Sequence, residues 1–214
     1  MNSIFAIPFL FLGVLLISCN NGKMINDSKP ETRSFTDPRD GKIYKTVKVG
    51  DQWIMAENLA YKPDSGKFWA YNNIESNVAI YGYLYDWETA MNGAPEGWHL
   101  PSSKEWRAVQ KKLGAKMNTF PYLEKIYPKL IDGGSSGLDL LFGGIRSCEG
   151  EFIDLGSKAG FWNSDDSRSE KAYYGLNSNK DSIPHGLNNS KAPYVSGNKY
   201  QKSCKGYSIR LFKD

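Results

Sequence analysis

Short apolar runs, broken by glycine every few residues, make up the chain from Leu138 onward. Runs such as LDLLFGG and KAGFW are too short to form amphipathic helices, whereas glycine at their ends favours tight turns. With 21 glycines and an aromatic content of 14% in 214 residues, this texture is typical of short strands joined by turns. The pattern argues against a helical bundle and predicts a C-terminal half built of strands and loops.

A β-hairpin is predicted earlier in the chain. Ile43–Val49 mixes β-branched and polar residues, Gly50 and Asp51 follow as turn residues, and Gln52–Ala56 provides a returning strand. A glycine-containing pair between two strand-like runs favours a tight antiparallel connection.

The middle of the chain is predicted to hold two or three short helices. Asp86 is a candidate N-cap for the first, and Ser102 begins the second with the S-x-x-E spacing of a capping box that ends at Glu105. Pro121–Ile131 is a third candidate, which Pro128 shortens or kinks. We find no second linker and no repeat, so the sequence predicts one compact, loop-rich α+β domain.

The N-terminal segment has the pattern of an export signal. Residues 4–17 are uncharged and apolar, but the run is too short for a typical membrane-spanning helix. It leads into Leu16–Cys19 (LISC), which resembles the lipobox of bacterial lipoproteins. We therefore expect lipidation of Cys19, with acyl chains such as palmitate holding the protein to a membrane.

The stretch that follows, residues 20–34, is polar and aperiodic, which is typical of a flexible tether. The predicted division is a signal peptide at residues 1–18, a lipidated cysteine and flexible tether at 19–34, and one domain at 35–214. This division predicts a protein of the cell envelope, with the outer membrane as the expected location. It leaves open whether the protein lies on the periplasmic face or on the cell surface.

The three cysteines leave a pair once Cys19 is lipidated. Cys148 and Cys204 could form a disulfide in an oxidising compartment or remain two separate thiols. The sequence leaves both alternatives open, because it does not place their Cα atoms.

No catalytic motif stands out. The sequence has no phosphate-binding glycine loop, no Ser-His-Asp order and no paired-carboxylate signature. His99 and His185 are far apart in the sequence, and neither has a neighbouring histidine. Basic and acidic residues are interspersed at a net charge of +4, so we expect no nucleic-acid partner.

Several fragments together resemble the Fibrobacter succinogenes major paralogous domain, a family common in bacterial lipoproteins. The fragments are DGKIYKTVKVGDQWIMAENL, YGYLYDWETAM, GWHLPSSKEW, FGGIRSCEGEF, GSKAGFWNSDD and GYSIRLFKD. They occur in the order of the family and span nearly all of the predicted domain. The resemblance implies a lipid-anchored envelope protein.

A more distant resemblance points to the formylglycine-generating (sulfatase-modifying) fold, a variant of the C-type-lectin-like fold. The residues on which this resemblance rests are Trp87, Ala90, Leu100, Pro101, Glu105, Trp106, Gly206, Tyr207 and Arg210. The resemblance implies a loop-rich α+β domain held by aromatic packing. Those enzymes use two cysteines that lie close together, and Cys148 and Cys204 do not match that spacing, so we do not expect the activity.

Trp162–Asp166 (WNSDD) contains the one candidate metal site. Asn163, Asp165 and Asp166 offer the hard oxygen ligands that Ca²⁺ prefers, and the motif superficially resembles a C-type-lectin calcium loop. Polar turns are enriched in the same residues, so a turn after two buried aromatic residues is the favoured interpretation. We expect no cofactor.

Aromatic side chains are candidates for a sugar-binding surface. Trp69, Tyr173, Tyr194 and Tyr200 lie in stretches rich in glycine, asparagine or lysine, where some rings could face solvent. Core packing is the favoured interpretation for the set.

These observations predict a non-catalytic lipoprotein of the cell envelope that binds a polysaccharide or an envelope protein. Two alternatives stay open. One is an enzyme related to the sulfatase-modifying fold, and the other is a purely structural envelope component without a ligand.

Overall fold

The structure, a computed structural model, describes residues 29–115, 126–165, 173–177 and 204–214, with the backbone alone described for 173–177. The predicted signal peptide and Cys19 lie outside these residues and stay predictions. Within the described parts of the chain, no helix has the length and apolar character that crossing a membrane requires.

Eleven strands and four α-helices form within the described residues. The strands are β1 (Thr32–Thr36), β2 (Ile43–Val49), β3 (Gln52–Met55), β4 (Phe68–Trp69), β5 (Leu84–Tyr85), β6 (Trp98–His99), β7 (Gly143–Arg146), β8 (Phe152–Leu155), β9 (Lys158–Trp162), β10 (Tyr173–Asn177) and β11 (Phe212–Lys213). The helices are α1 (Val78–Tyr81), α2 (Trp87–Met91), α3 (Ser103–Lys112) and α4 (Tyr127–Leu130). The predicted α+β class is confirmed.

A five-stranded antiparallel sheet, ordered β1-β2-β3-β11-β6, contains the predicted hairpin. β2 and β3 pair with Val49 opposite Gln52, which leaves a two-residue turn. Gly50 adopts a φ of 65° in that turn, a conformation that glycine tolerates without steric cost. The hairpin prediction is confirmed, including its turn residues.

The first strand lies partly in the predicted tether. β1 pairs with β2 from Thr32 opposite Val47 to Thr36 opposite Ile43. Residues 32–34, predicted above as part of the tether, therefore belong to a strand. The polar sequence of β1 does not look strand-like, but its backbone hydrogen bonds to β2 decide its structure.

The last strand closes the same sheet. β11 lies between β3 and β6, so that Phe212 pairs with Ile54 on one side and with His99 on the other. The end of the described chain therefore lies in the same sheet as its beginning, separated from β1 by β2 and β3.

The C-terminal half forms a second sheet, ordered β10-β9-β7-β8. β7 and β9 are parallel, whereas β7–β8 and β9–β10 are antiparallel. A small third sheet pairs β4 with β5. The strand-and-loop prediction for this half is confirmed.

The two predicted helix caps form. The Asp86 carboxylate accepts a hydrogen bond from the Thr89 amide at 2.9 Å and begins α2. At α3, the Ser102 hydroxyl accepts from the Glu105 amide, and the Glu105 carboxylate accepts from the Ser102 amide at 2.8 Å, which completes the capping box. The third predicted helix is seen only as α4, since residues 121–125 lie outside the described residues.

Two apolar clusters form the core, and the segment 206–212 contributes to both. The first packs α3 against the five-stranded sheet and includes Val47, Ile54, Trp106, Val109, Phe161 and Phe212. The second includes Tyr44, Met55, Tyr85, Trp98, Trp162, Tyr207, Ile209 and Leu211. The Trp162 and Tyr207 rings meet edge to face at 4.5 Å between centroids. The Trp106 ring of α3 lies 5.0 Å from the Phe212 ring and 6.3 Å from the Phe161 ring, between centroids, so aromatic packing joins the two halves of the domain.

A fully buried arginine lies between these clusters. The Arg210 guanidinium donates to Asn58 Oδ1 at 2.5 Å and to the carbonyls of Met55 (3.1 Å), Leu138 (2.7 Å) and Asp139 (2.8 Å). Desolvation lowers the pKa of Arg210 to about 9, although the Asp139 and Glu57 charges oppose this. The side chain therefore stays protonated at neutral pH and bridges three separate parts of the chain.

The Gln110 side chain provides a stability prediction. It lies on the core side of α3 with 1% of its surface exposed, and its amide nitrogen and oxygen have no hydrogen-bond partner among the described residues. Because an unpaired buried amide is costly, Gln110→Leu is expected to raise the free energy of unfolding by about 1 kcal/mol. Urea denaturation measures this, with the exposed neighbour substitution Lys111→Leu as the control.

Destabilisation by Gln110→Leu, with no change for Lys111→Leu, would contradict the expectation. It would mean that the amide is hydrogen-bonded in solution.

Candidate functional site

His99 lies between two carboxylates at the end of β6. Its Nδ1 is 2.5 Å from Oδ1 of Asp214, and its Nε2 is 2.8 Å from Oε1 of Glu105. All three side chains are partly exposed, to 35% for His99, 34% for Glu105 and 58% for Asp214. We call these three residues the His99 cluster.

Local sequence and sheet pairing together build the His99 cluster. The capping box fixes Glu105, whose Oε2 accepts from the Ser102 amide and hydroxyl and leaves Oε1 for His99. The pairing of β11 with β6 brings Asp214 to the other side of the ring. The sequence predicts the cap but gives no signal for the Asp214 contact, because strand register is a tertiary property.

The protonation of His99 follows from these contacts. Burial alone would lower the pKa of His99, but the hydrogen bonds and charges of Glu105 and Asp214 outweigh it and raise the pKa above 6.5. A protonated imidazole donates from both nitrogens, which suits two carboxylate acceptors. The arrangement links α3, β6 and the residue after β11, and it leaves neither ring nitrogen free to accept a proton from a substrate.

The His99 cluster predicts a pH dependence of stability. Because the folded-state pKa of His99 is raised, its contribution is fully present below the unfolded value of 6.5 and is lost as the pH rises through the folded-state pKa. Since the groups are about one-third exposed or more, solvent screening limits the effect to roughly 1 kcal/mol or less. Thermal unfolding of wild type, measured as a function of pH, should show this loss of stability. The His99→Gln variant should not show it.

His185→Gln is the matched control, since His185 is the other histidine of the chain. That variant should keep the wild-type pH profile. An unchanged profile in His99→Gln would contradict the assigned role.

The loop after β9 packs onto the start of α3. The Asn163 side-chain oxygen accepts from the Asp165 amide at 3.1 Å, and the Asn163 carbonyl accepts from the Trp87 indole at 3.0 Å. Both Asp165 carboxylate oxygens lie 3.3 Å from the Ser103 amide nitrogen. The two described calcium candidates thus accept hydrogen bonds from protein amides.

Asp166, the third calcium candidate, lies outside the described residues. Among the residues that the structure describes, no group of three or more His, Cys, Asp or Glu side chains could hold a metal ion.

The described aromatic candidate, Trp69, has a cation over its ring. The Arg146 guanidinium lies 4.2 Å from the Trp69 ring centroid. The Arg33 guanidinium lies 4.4 Å from the Trp53 ring centroid, and the Arg39 guanidinium lies 3.7 Å from the Tyr61 ring centroid. Cation–π contacts of this kind occupy the ring face on which a sugar would stack.

The other aromatic candidates lie wholly or partly outside the described residues. Tyr194 and Tyr200 lie outside them, and only the backbone of Tyr173 is described.

Cys148 and Cys204 are joined by a disulfide in the structure, with Cα atoms 4.6 Å apart. It ties the turn between β7 and β8 to the segment that leads into β11. The Arg146 guanidinium donates to the Cys204 carbonyl at 3.0 Å, so the same region is also held by a hydrogen bond.

Comparison with known families identifies the domain. The Fibrobacter succinogenes major domain model matches residues 47–213. The chain belongs to the Fibrobacter succinogenes major domain family. No curated protein and no solved structure matches the chain, so the distant likeness to the sulfatase-modifying and C-type-lectin-like folds stays a prediction.

The fragments that resemble this family mostly supply buried structure. Trp98, Trp106, Trp162 and Tyr207 are at most 7% exposed, and Arg210 is fully buried. In this member of the Fibrobacter succinogenes major domain family, the motifs therefore maintain the fold, and a binding surface has to be sought among exposed residues.

Proposed function

We propose that the protein is a non-catalytic lipoprotein of the bacterial cell envelope that binds an envelope protein or polysaccharide. The observation that carries the non-catalytic part is the environment of His99. Both of its ring nitrogens are engaged by carboxylates, so it has no free acceptor for proton abstraction. The proposal needs no cofactor.

Membrane attachment is supported by the N-terminal sequence. The apolar residues 4–17 and the lipobox-like Leu16–Cys19 favour export followed by lipidation of Cys19. The Cys148–Cys204 disulfide adds support, because such bonds persist in oxidising compartments outside the cytosol. We place the anchor in the outer membrane.

The disulfide also weighs against the enzyme alternative. The sulfatase-modifying enzymes use two cysteines that lie close together in the sequence, whereas Cys148 and Cys204 are separated by 56 positions. A purely structural role is the remaining alternative, and identification of a bound partner would argue against it.

Lipidation is tested by growing cells with an alkyne analogue of palmitate and measuring label on the protein. Wild type and the Cys148→Ser/Cys204→Ser variant should carry the label and fractionate with membranes. Cys19→Ser should lose both the label and the membrane association. Label retained by Cys19→Ser would overturn the anchor assignment.

Partner binding is tested with the membrane-anchored protein by in-cell cross-linking and by a polysaccharide array. A defined adduct or a saturable glycan signal is expected for wild type and for His99→Gln. The absence of both would leave the structural role as the better explanation.

A further inference from the structure

The chain enters the domain at one end of the five-stranded sheet. Thr32 of β1 lies opposite Val47, close to the β2–β3 turn at Gly50 and Asp51. The backbone amide of Lys48 donates to the Glu31 carbonyl at 2.9 Å, so residue 31 is fixed at this end. We call this region, where β1 begins and the β2–β3 hairpin turns, the tether end of the domain.

An indole and two cations lie together at the tether end. Trp53 is partly exposed and pairs with Lys48 across the hairpin. The Arg33 guanidinium lies 4.4 Å from the Trp53 ring centroid, and Lys48 Nζ lies 5.9 Å from it. Trp, Lys and Arg are the residues typical of the interface between lipid and water, where an amphipathic ring lies at headgroup level.

Further cations surround this group. The Lys112 side chain packs against Gly50 and lies 3.9 Å from the Asp51 carboxylate, while Lys213 is fixed by a hydrogen bond from Gln52 to its carbonyl. The basic residues at this end are Lys29, Arg33, Lys48, Lys112 and Lys213, and the acidic residues include Glu31, Asp51, Glu96 and Asp214. Glu31 pairs with Arg33 at 3.0 Å and lies 3.8 Å from Lys48. Since Asp214 is engaged by His99, these basic residues outnumber the other acidic residues named here by five to three.

The length of chain before β1 limits how far this end can lie from a lipid on Cys19. Even fully extended, the chain between Cys19 and Thr32 spans no more than about 45 Å. Electrostatic attraction acts within roughly 10 Å of a charged surface at moderate salt, so the domain can reach that range easily. No other part of the described domain is held as close to the anchor by the chain.

We propose that the tether end is a membrane-binding surface, in which Trp53, Arg33 and Lys48 contact anionic lipid headgroups. The proposal rests on the lipid anchor at Cys19 assigned above. A lipid surface is favoured over a free phosphate because the cations flank an indole instead of converging on a buried pocket. The turn between β1 and β2, which carries Arg39 and contacts Tyr61, then lies at the end directed away from the bilayer.

The test uses the mature lipidated protein inserted in vesicles that contain brominated lipid, which quenches tryptophan at headgroup depth. The Trp53 signal is obtained as the difference between wild type and Trp53→Phe. Quenching of that signal is expected in phosphatidylglycerol vesicles, with at least a threefold decrease in phosphatidylcholine vesicles or at 1 M salt. Arg33→Glu/Lys48→Glu should abolish it.

Lys62→Glu is the matched control, because Lys62 is exposed and follows Tyr61 at the opposite end of the sheet. It should leave the quenching unchanged. Acetylation of Lys48 by a membrane-impermeant reagent is a second measurement that does not depend on a Trp53 variant. Lys48 should be protected in anionic vesicles, whereas Lys62 should react.

Several results would overturn the proposal. One is an anchored protein with no Trp53 quenching and a freely reactive Lys48, and another is equal quenching in anionic and zwitterionic vesicles. Loss of quenching in Lys62→Glu would equally contradict the assigned surface. These failures leave the lipid anchor intact, whereas failure of the protein to associate with any vesicle would instead contradict the anchor itself.

Discussion

Arg210→Ala is expected to lower the free energy of unfolding by about 3–5 kcal/mol. The substitution removes a buried cation and leaves the carbonyls of Met55, Leu138 and Asp139, together with Asn58 Oδ1, without their donor. Small domains have total stabilities of about 5–15 kcal/mol, so the variant should lose a large fraction of its stability. Urea denaturation followed by tryptophan fluorescence measures the loss.

Arg210→Lys should recover little of this stability. A lysine ammonium is compact and cannot reach four acceptors in the planar arrangement of a guanidinium. Arg33→Ala is the control, since Arg33 forms a surface ion pair with Glu31 and should change stability by about 0.5 kcal/mol or less. If Arg210→Ala were as mild as Arg33→Ala, the buried network would not be a determinant of the fold.

Loss of the Cys148–Cys204 disulfide is expected to cost about 4 kcal/mol. The bond closes a long loop, with a sequence separation of 56, and the loop-entropy model predicts a large gain in stability for a loop of that length. Cys148→Ser/Cys204→Ser should therefore unfold at clearly lower urea concentration than wild type. Wild type treated with reductant should approach the stability of the double variant.

The double variant is also the control for the reductant. Its stability should not change when reductant is added, because the remaining cysteine, Cys19, is outside the bond. Equal stability of oxidised wild type and the double variant would contradict the stabilising role of the disulfide.

Local chemistry made part of the fold predictable. The β2–β3 hairpin depends on Gly50 and its neighbour in a two-residue turn, and the caps depend on Asp86 and on the Ser102–Glu105 spacing. Each signal lies within a few residues, so it can be recognised without knowledge of the tertiary structure.

Features set by long-range pairing were not predictable. β1 is polar and becomes a strand only through its pairing with β2. The position of β11 between β3 and β6 likewise depends on pairing with distant parts of the chain. The contact between His99 and Asp214 depends on that second pairing. In the candidate site, residue types alone allowed either calcium ligands or a polar turn at Asn163 and Asp165. In the structure the Asn163 side chain accepts from the Asp165 amide within the loop, and the Asp165 carboxylate accepts from the Ser103 amide at the start of α3.

The burial of Arg210 has the same origin. From sequence alone, an arginine among apolar residues in the last segment can be exposed or buried. Arg210 can be buried because the tertiary structure brings Asn58 and the carbonyls of residues 138–139 together as its acceptors. The basic group around Trp53 also requires the register of the hairpin, which places Lys48 opposite the indole.

We propose that the protein acts through membrane attachment and binding, and that His99 performs no chemistry. Competitive growth of a deletion strain complemented with variants at matched protein levels measures both parts of this role. His99→Gln is expected to restore wild-type fitness, whereas Cys19→Ser is not. Full rescue by Cys19→Ser together with failure of His99→Gln would contradict the proposed role and favour catalysis at His99.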